Sequence, residues 1–144
     1  MVRKGGFQLR NTDKALLVEY RMNIAEMEAA DLGDKRQASR YNARARRIRC
    51  IAGRIEEKYP ALKEEFYRLL FSDEGSVRIW AAHHMLEVMH YEGEQRAAAL
   101  REIRCVAEQD ASAQGLGNRM WLREWLEAHP EDERLIATPL SRGR

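Results

Sequence analysis

The chain has 144 residues, 44% hydrophobic and 33% charged, with a formal net charge of +2. That is enough to bury a core within one domain of ordinary size. The near-neutral balance argues against a dedicated polyanion binder, and no apolar run approaches the roughly 18 residues of a membrane span.

The first eleven residues read as a loose leader; "MVRKGGFQLR" has basic residues but no apolar segment behind them, so it does not resemble a secretory signal. "NTD" at Asn11–Asp13 supplies N-cap chemistry for a first long helix reaching about Leu32. Its core face would carry Leu17, Tyr20, Ile24 and Met27, widened by Leu16 and Val18. Gly33 would stop it. Asp34 can cap a second long helix ending near Pro60, with Tyr41, Ala45, Ile48, Ile51, Ala52, Ile55 and Tyr59 as its seam. "PALKEEFYRLLFS" predicts a third helix with Leu62, Phe66, Leu69 and Leu70 inward.

A fourth helix is expected from about Ser76 to Tyr91, with Gly93 as its breaker. A fifth runs from about Glu94 to Gln109, burying Ala97, Leu100, Ile103, Val106 and Ala107. "DASAQGLGN" is a loop or a weak first turn, and a sixth helix covers roughly Asn118 to Ala128, carrying Met120, Trp121, Trp125 and Leu126. His129-Pro130 ends it, and residues 130–144 read as a flexible tail in which Leu135 and Ile136 are the candidates to dock. No alternating run survives comparison with the helical period. The expectation is an all-α protein of about six helices in antiparallel pairs, with residues 12–129 as a single helical-repeat-like domain.

Three of the four histidines fall in "HHMLEVMH". His83, Glu87 and His90 share one face at helical spacing, and Glu87-Val88-Met89-His90 has the Glu-x-x-His spacing of di-iron bundles. No second copy of that motif exists. Three ligands at i, i+4 and i+7 of one helix spread over about 10 Å of axis. A metal-dependent enzyme at these residues is therefore the weakest reading, and interhelical filling by a ring with a polar tip is the stronger one. No cofactor is expected. Cys50 and Cys105 form no CxxC pair and are expected to be small buried thiols in a reducing cytoplasm, where the protein is placed.

The second helix holds a more unusual feature. From Lys35 to Arg54 there are eight basic residues and no acidic one. Arg36, Arg40, Arg44 and Arg47 follow one side of it, with Tyr41 beside them as an aromatic anchor. Such a row suits an acidic protein surface, through arginine–carboxylate forks, or the phosphates of nucleic acid. The bland alternative is a solvated face that neutralises nearby carboxylates, among them Glu19, Glu26, Glu28 and Asp31.

Four stretches then carry a likeness to a known family: "RYNARARRIRCIAGRI", "FYRLLFSDEGSVRIWAAHHMLEV", "AALREIRCVAEQ" and "NRMWLREW". Across roughly residues 14–127 they resemble a bacterial family of small HEAT-like proteins, the domain of unknown function numbered 2019. Val77-Arg78, Ala81-Ala82 and Leu86 also look like the general HEAT packing signature. The resemblance implies a HEAT-like or ARM-type α-α superhelix and brings no enzymatic activity, cofactor or catalytic residue. The expectation is a non-catalytic module that binds another protein, in the manner of bacterial immunity or adaptor proteins. Nucleic-acid binding by the same helix is the alternative, and no membrane is involved.

Overall fold

The computed structural model describes residues 11–137, and every regular element among them is helical. In chain order these are α1 (Asn11–Glu28), α2 (Lys35–Lys58), α3 (Lys63–Tyr67), α4 (Gly75–Glu87), α5 (Gly93–Gln109), α6 (Ala113–Ala128) and α7 (Glu133–Ala137). Short 3-10 turns at Pro60–Leu62 and Arg68–Phe71 flank α3, and another at Pro130–Asp132 leads into α7. The chain divides into two compact units, the first ending at His90 and the second beginning at Tyr91.

In the first unit α1 and α2 form a helical hairpin, and α4 packs on α1, on α2 and on the segment around α3. Asp34 caps α2 as expected: its Oδ1 accepts from Arg36 N–H at 2.9 Å, satisfying one orphan donor of the first turn. Ile48, Ile51, Ala52 and Ile55 are buried along one seam of α2. Each of the isoleucines contributes about 1.5–3 kcal/mol by leaving water. Tyr20, Ile24 and Met27 of α1 are buried opposite, with Leu62, Phe66, Leu69 and Leu70 from the α3 segment. Val77, Ala81, Ala82, Met85 and Leu86 complete this core from α4.

Helix ends depart from the sequence expectation for local reasons. α1 stops at Glu28 rather than near Leu32, because Asp31 organises the turn: its carboxylate accepts from Gly33 N–H at 2.9 Å. Val18, expected on the core face, is exposed. α4 ends at Glu87, so His90 does not lie on it. The His90 backbone N–H instead donates to Glu56 Oε1 at 3.0 Å, and Lys63 bridges back to the same carboxylate at 2.8 Å.

The second unit is built on the α5–α6 hairpin, with α7 packed on α5. Ala97, Ala99, Leu100, Ile103 and Ala107 are its buried face on α5. α6 starts five residues earlier than predicted. Ser112 Oγ accepts from Gln114 N–H at 3.2 Å, and Asp110 fixes Ser112 by accepting from its N–H at 2.8 Å. Met120 is exposed. Gly93 does not break a helix; it opens α5 with φ +61°, a conformation that favours glycine.

The flexible tail expected from residue 130 is replaced by helix as far as Ala137. Asp132 is buried and bridges two residues: Arg96 holds it through two bonds of 2.8 and 2.7 Å, and Trp125 Nε1–H donates to it at 2.9 Å. Ile136 is buried as well, and its carbonyl accepts from Arg104. Of the expected leader, residues 1–11, Asn11 opens α1 and residues 1–10 lie outside the described residues, as do residues 138–144.

Candidate interaction surface

The arginine row of α2 divides into two groups with different partners. Arg47 is a fork on Glu19 of α1, with Nε–Oε2 at 2.6 Å and Nη2–Oε1 at 2.8 Å. That pairing holds the Glu19 carboxyl below its ordinary range, the hydrogen bond from Arg47 outweighing burial. Arg44 Nη1 donates to Asn23 Oδ1 of α1 at 2.9 Å. Two of the four predicted contact arginines thus tie the α1–α2 hairpin together. Glu19, read from sequence as a neutralising neighbour, is where Arg47 goes.

Arg36 and Arg40 are exposed, and so are Arg46 and Arg54. At about 100° per residue, Arg36, Arg40 and Arg54 fall within roughly 40° of one another, with Arg46 on their flank. The ridge from Arg36 to Arg54 is roughly 27 Å long at about 1.5 Å per residue. Arg36, Arg46 and Arg54 make no side-chain hydrogen bond or ion pair among the described residues. Arg40 lies close enough to Asp34 to help lower that carboxyl, after the hydrogen bonds from Gln37 and Arg36. The sequence reading missed Arg46 and Arg54, although the helical wheel already placed Arg54 beside Arg36.

A shallow groove of about 140 Å³ lies where α1 ends and α2 begins, lined by Glu26, Gln37, Arg40, Tyr41 and Arg44 among others. Tyr41 is half-buried there, a rigid ring beside two guanidinium groups. Glu26 puts a negative charge on the same wall.

Cys50 is exposed on this side of α2, correcting the expectation of a buried thiol; it sits roughly 150° around the helix from the isoleucine seam. Cys105 is half-buried, and both cysteines are free thiols.

The histidines take other roles. His83 Nδ1 lies 3.4 Å from Glu87 Oε2, and Glu87 Oε1 accepts from Arg49 of α2 at 3.1 Å. Glu87 thus joins His83 on α4 to Arg49 on α2 in a side-chain network rather than a ligand set. With His90 off the helix, the i, i+4, i+7 arrangement does not form. Among the described residues no group of three His, Cys, Asp or Glu side chains is placed to hold a metal ion. His84 is the buried one: its Nδ1 is 2.7 Å from Tyr20 Oη, and Trp80 lies against its ring at 5.8 Å.

Fold and surface together define an all-α protein that displays a basic ridge on its second helix, and no described helix is long and apolar enough to cross a membrane. Comparison with family models, curated proteins and solved structures finds no match to the chain.

Proposed function

We propose that this protein is a non-catalytic binding module that docks an acidic protein surface onto α2. The observation that carries this reading is the ridge of Arg36, Arg46 and Arg54, exposed and without an ion pair among the described residues. Arginine presents a planar fork matched to carboxylates, and its weak hydration lowers the cost of burying it at an interface. The neighbouring groove offers Tyr41 as an anchor of the kind that dominates binding energy. Its wall mixes Glu26 with Arg40 and Arg44, which suits a protein face of mixed charge better than a polyphosphate. The HEAT-like resemblance of the quoted stretches points the same way, since helical-hairpin scaffolds present such faces rigidly.

Capture from the native host's lysate tests the proposal. Wild-type protein is compared with an Arg36→Glu/Arg46→Glu/Arg54→Glu variant whose unfolding midpoint matches wild type. A protein retained by wild type and lost by the variant is the expected result. An identical captured set for both removes this surface.

Nucleic-acid binding is the second reading, favoured by the absence of any acidic residue between Lys35 and Arg54. It requires retention of DNA or RNA at low salt that falls steeply as salt rises. A gel shift with no retention at low salt eliminates it.

A further inference from the structure

The α1 helix has two apolar faces, and among the described residues only one of them is covered. Tyr20, Ile24 and Met27 point into the core. Ala15, Val18, Met22, Ala25 and Ala29 are exposed, at successive steps of three, four, three and four. The Ala29 N–H still bonds to the Ala25 carbonyl at 3.2 Å, so the register holds to the end of the helix. Leu32, three residues further in the turn, is exposed as well. Val18, Met22 and Leu32 are 57%, 63% and 56% exposed. This alternation is the a/d spacing of a coiled-coil seam, with Val18 and Met22 as the large apolar side chains that it leaves in water.

The charges flanking the stripe indicate what docks there. With Ala15, Met22 and Ala29 at a, and Val18 and Ala25 at d, the g positions are Lys14, Arg21 and Glu28, and the e positions are Glu19 and Glu26. In a parallel pair, each g residue meets the e residue five positions later on the other helix. Lys14 then faces Glu19 of the second copy, and Arg21 faces Glu26 of the second copy. Two-fold symmetry repeats both contacts, giving four attractive pairs. In the antiparallel alternative, Lys14 meets Glu28, but Arg21 meets Arg21 and Glu19 meets Glu19, so two attractive pairs are set against two repulsive ones. We infer that α1 is a self-association surface, pairing in parallel with α1 of a second copy through Ala15, Val18, Met22, Ala25 and Ala29.

Existing contacts leave room for this. Arg21 uses only Nη2 toward Glu74, at 3.2 Å, and the pair is well exposed. Glu19 is turned toward Arg47 and keeps lone pairs for a second donor. Alanine at three of the five seam positions lets the helix axes approach closely but contributes little apolar area, so the dimer is weak and concentration-dependent. The seam lies on α1 and leaves Arg36, Arg46 and Arg54 of α2 outside it, but its C-terminal end, at Glu26 and Ala29, shares a wall with the Tyr41 groove.

Sedimentation equilibrium over a wide concentration range, up to millimolar protein, tests it. Wild type is expected to show a monomer–dimer equilibrium. Met22→Glu, at an exposed position, is expected to abolish dimerisation with an unchanged unfolding midpoint. Arg21→Glu and Glu26→Arg should each weaken dimerisation by about tenfold or more, and an equimolar mixture of the two should restore it. Orientation is read in a Cys50→Ser/Cys105→Ser background: Met22→Cys should crosslink to itself under mild oxidation, because a meets a only in the parallel pair. A monomer at every concentration overturns the inference. So does a dimer indifferent to Met22→Glu, or one that Met22→Cys fails to crosslink. A fall in the unfolding midpoint of monomeric Met22→Glu would show that the stripe is covered within the chain, and that too overturns it.

Discussion

Tyr20 Oη and His84 Nδ1 lie 2.7 Å apart in the core of the first unit, joining α1 to α4. The rings meet edge to face at 5.7 Å, and Phe66 packs on the other side of Tyr20 at 5.0 Å. Both residues are essentially without solvent contact. Tyrosine and histidine both combine apolar ring surface with polar atoms, and here Tyr20 Oη and His84 Nδ1 satisfy one another. This pair explains why a histidine can sit on the packed face of α4.

Burial makes the pair pH-sensitive. It pushes the His84 imidazole down from 6.5 to about 4; Glu87 opposes this, while Arg49 and His83 add to it. Between those two values the unfolded chain binds a proton that the folded chain does not, so stability rises with pH across the window. As pH falls from about 6.5 to about 4, the protein should lose on the order of 3 kcal/mol. Urea unfolding at a series of pH values measures the slope, and His84→Gln should flatten it. A slope unchanged in His84→Gln would assign the pH dependence to other groups. Tyr20→Phe should cost about 1–3 kcal/mol by leaving a buried nitrogen short of its partner.

Arg47 and Arg54 are predicted to behave differently despite lying on neighbouring lines of one helix. Removing Arg47 breaks its fork on Glu19, which is about half-exposed and screened. A double-mutant cycle of Arg47→Ala with Glu19→Ala should give a coupling near 0.5 kcal/mol. Arg54→Ala should change stability by less than about 0.5 kcal/mol. Equal losses from the two substitutions would mean that the ridge is structural.

Asp132 anchors the end of the second unit. Burial alone would raise its carboxyl, but the hydrogen bonds from Arg96 and Trp125 hold it below the ordinary value. The Arg96 guanidinium also lies 5.8 Å from the Trp125 ring centre, and Trp125 stacks between Trp121 and His129 at 4.9 and 3.8 Å. Asp132→Ala leaves the mostly buried Arg96 without its partner and should cost about 3 kcal/mol. Because the carboxyl is lowered, this contribution is present at neutral pH and is lost as pH falls through the acid range. Thermal unfolding followed by tryptophan fluorescence reads both effects. An Asp132→Ala variant as stable as wild type would show that the bridge contributes nothing.

Legibility from sequence follows the range of the forces involved. Local chemistry was readable: Asp34 caps α2, and the isoleucine seam and the inward set Leu62, Phe66, Leu69 and Leu70 are buried as the helical period required. Contacts between distant segments were not. Nothing in the order of residues says that Arg44 and Arg47 reach back to Asn23 and Glu19, or that Asp132 receives Arg96 from thirty-six positions away. Of the four arginines read as a row, Arg36 and Arg40 are exposed, whereas Arg44 and Arg47 are half-buried and bonded to α1. The stripe from Ala15 to Ala29 was legible in spacing but hidden by the stronger apolar pattern on the opposite face of α1.

The start of α6 shows how one glycine can be essential and its neighbour replaceable. A Cβ on Gly115 would lie 1.6 Å from the Asp110 carbonyl oxygen, which is backbone and cannot step aside. Asp110 is held there by its bonds to Ser112, and Arg119 also reaches its carbonyl at 3.3 Å. Gly115→Ala must therefore shift the helix or open the turn, at a cost of about 2–3 kcal/mol or more. Gly117, two residues on, lies inside the helix, and a methyl group added there would meet nothing within 4 Å. Gly117→Ala should stabilise the protein by up to about 1 kcal/mol through the ordinary helix preference of alanine. Denaturant unfolding of the two variants side by side checks the contrast, since any change in helix propensity alone would move both in the same direction.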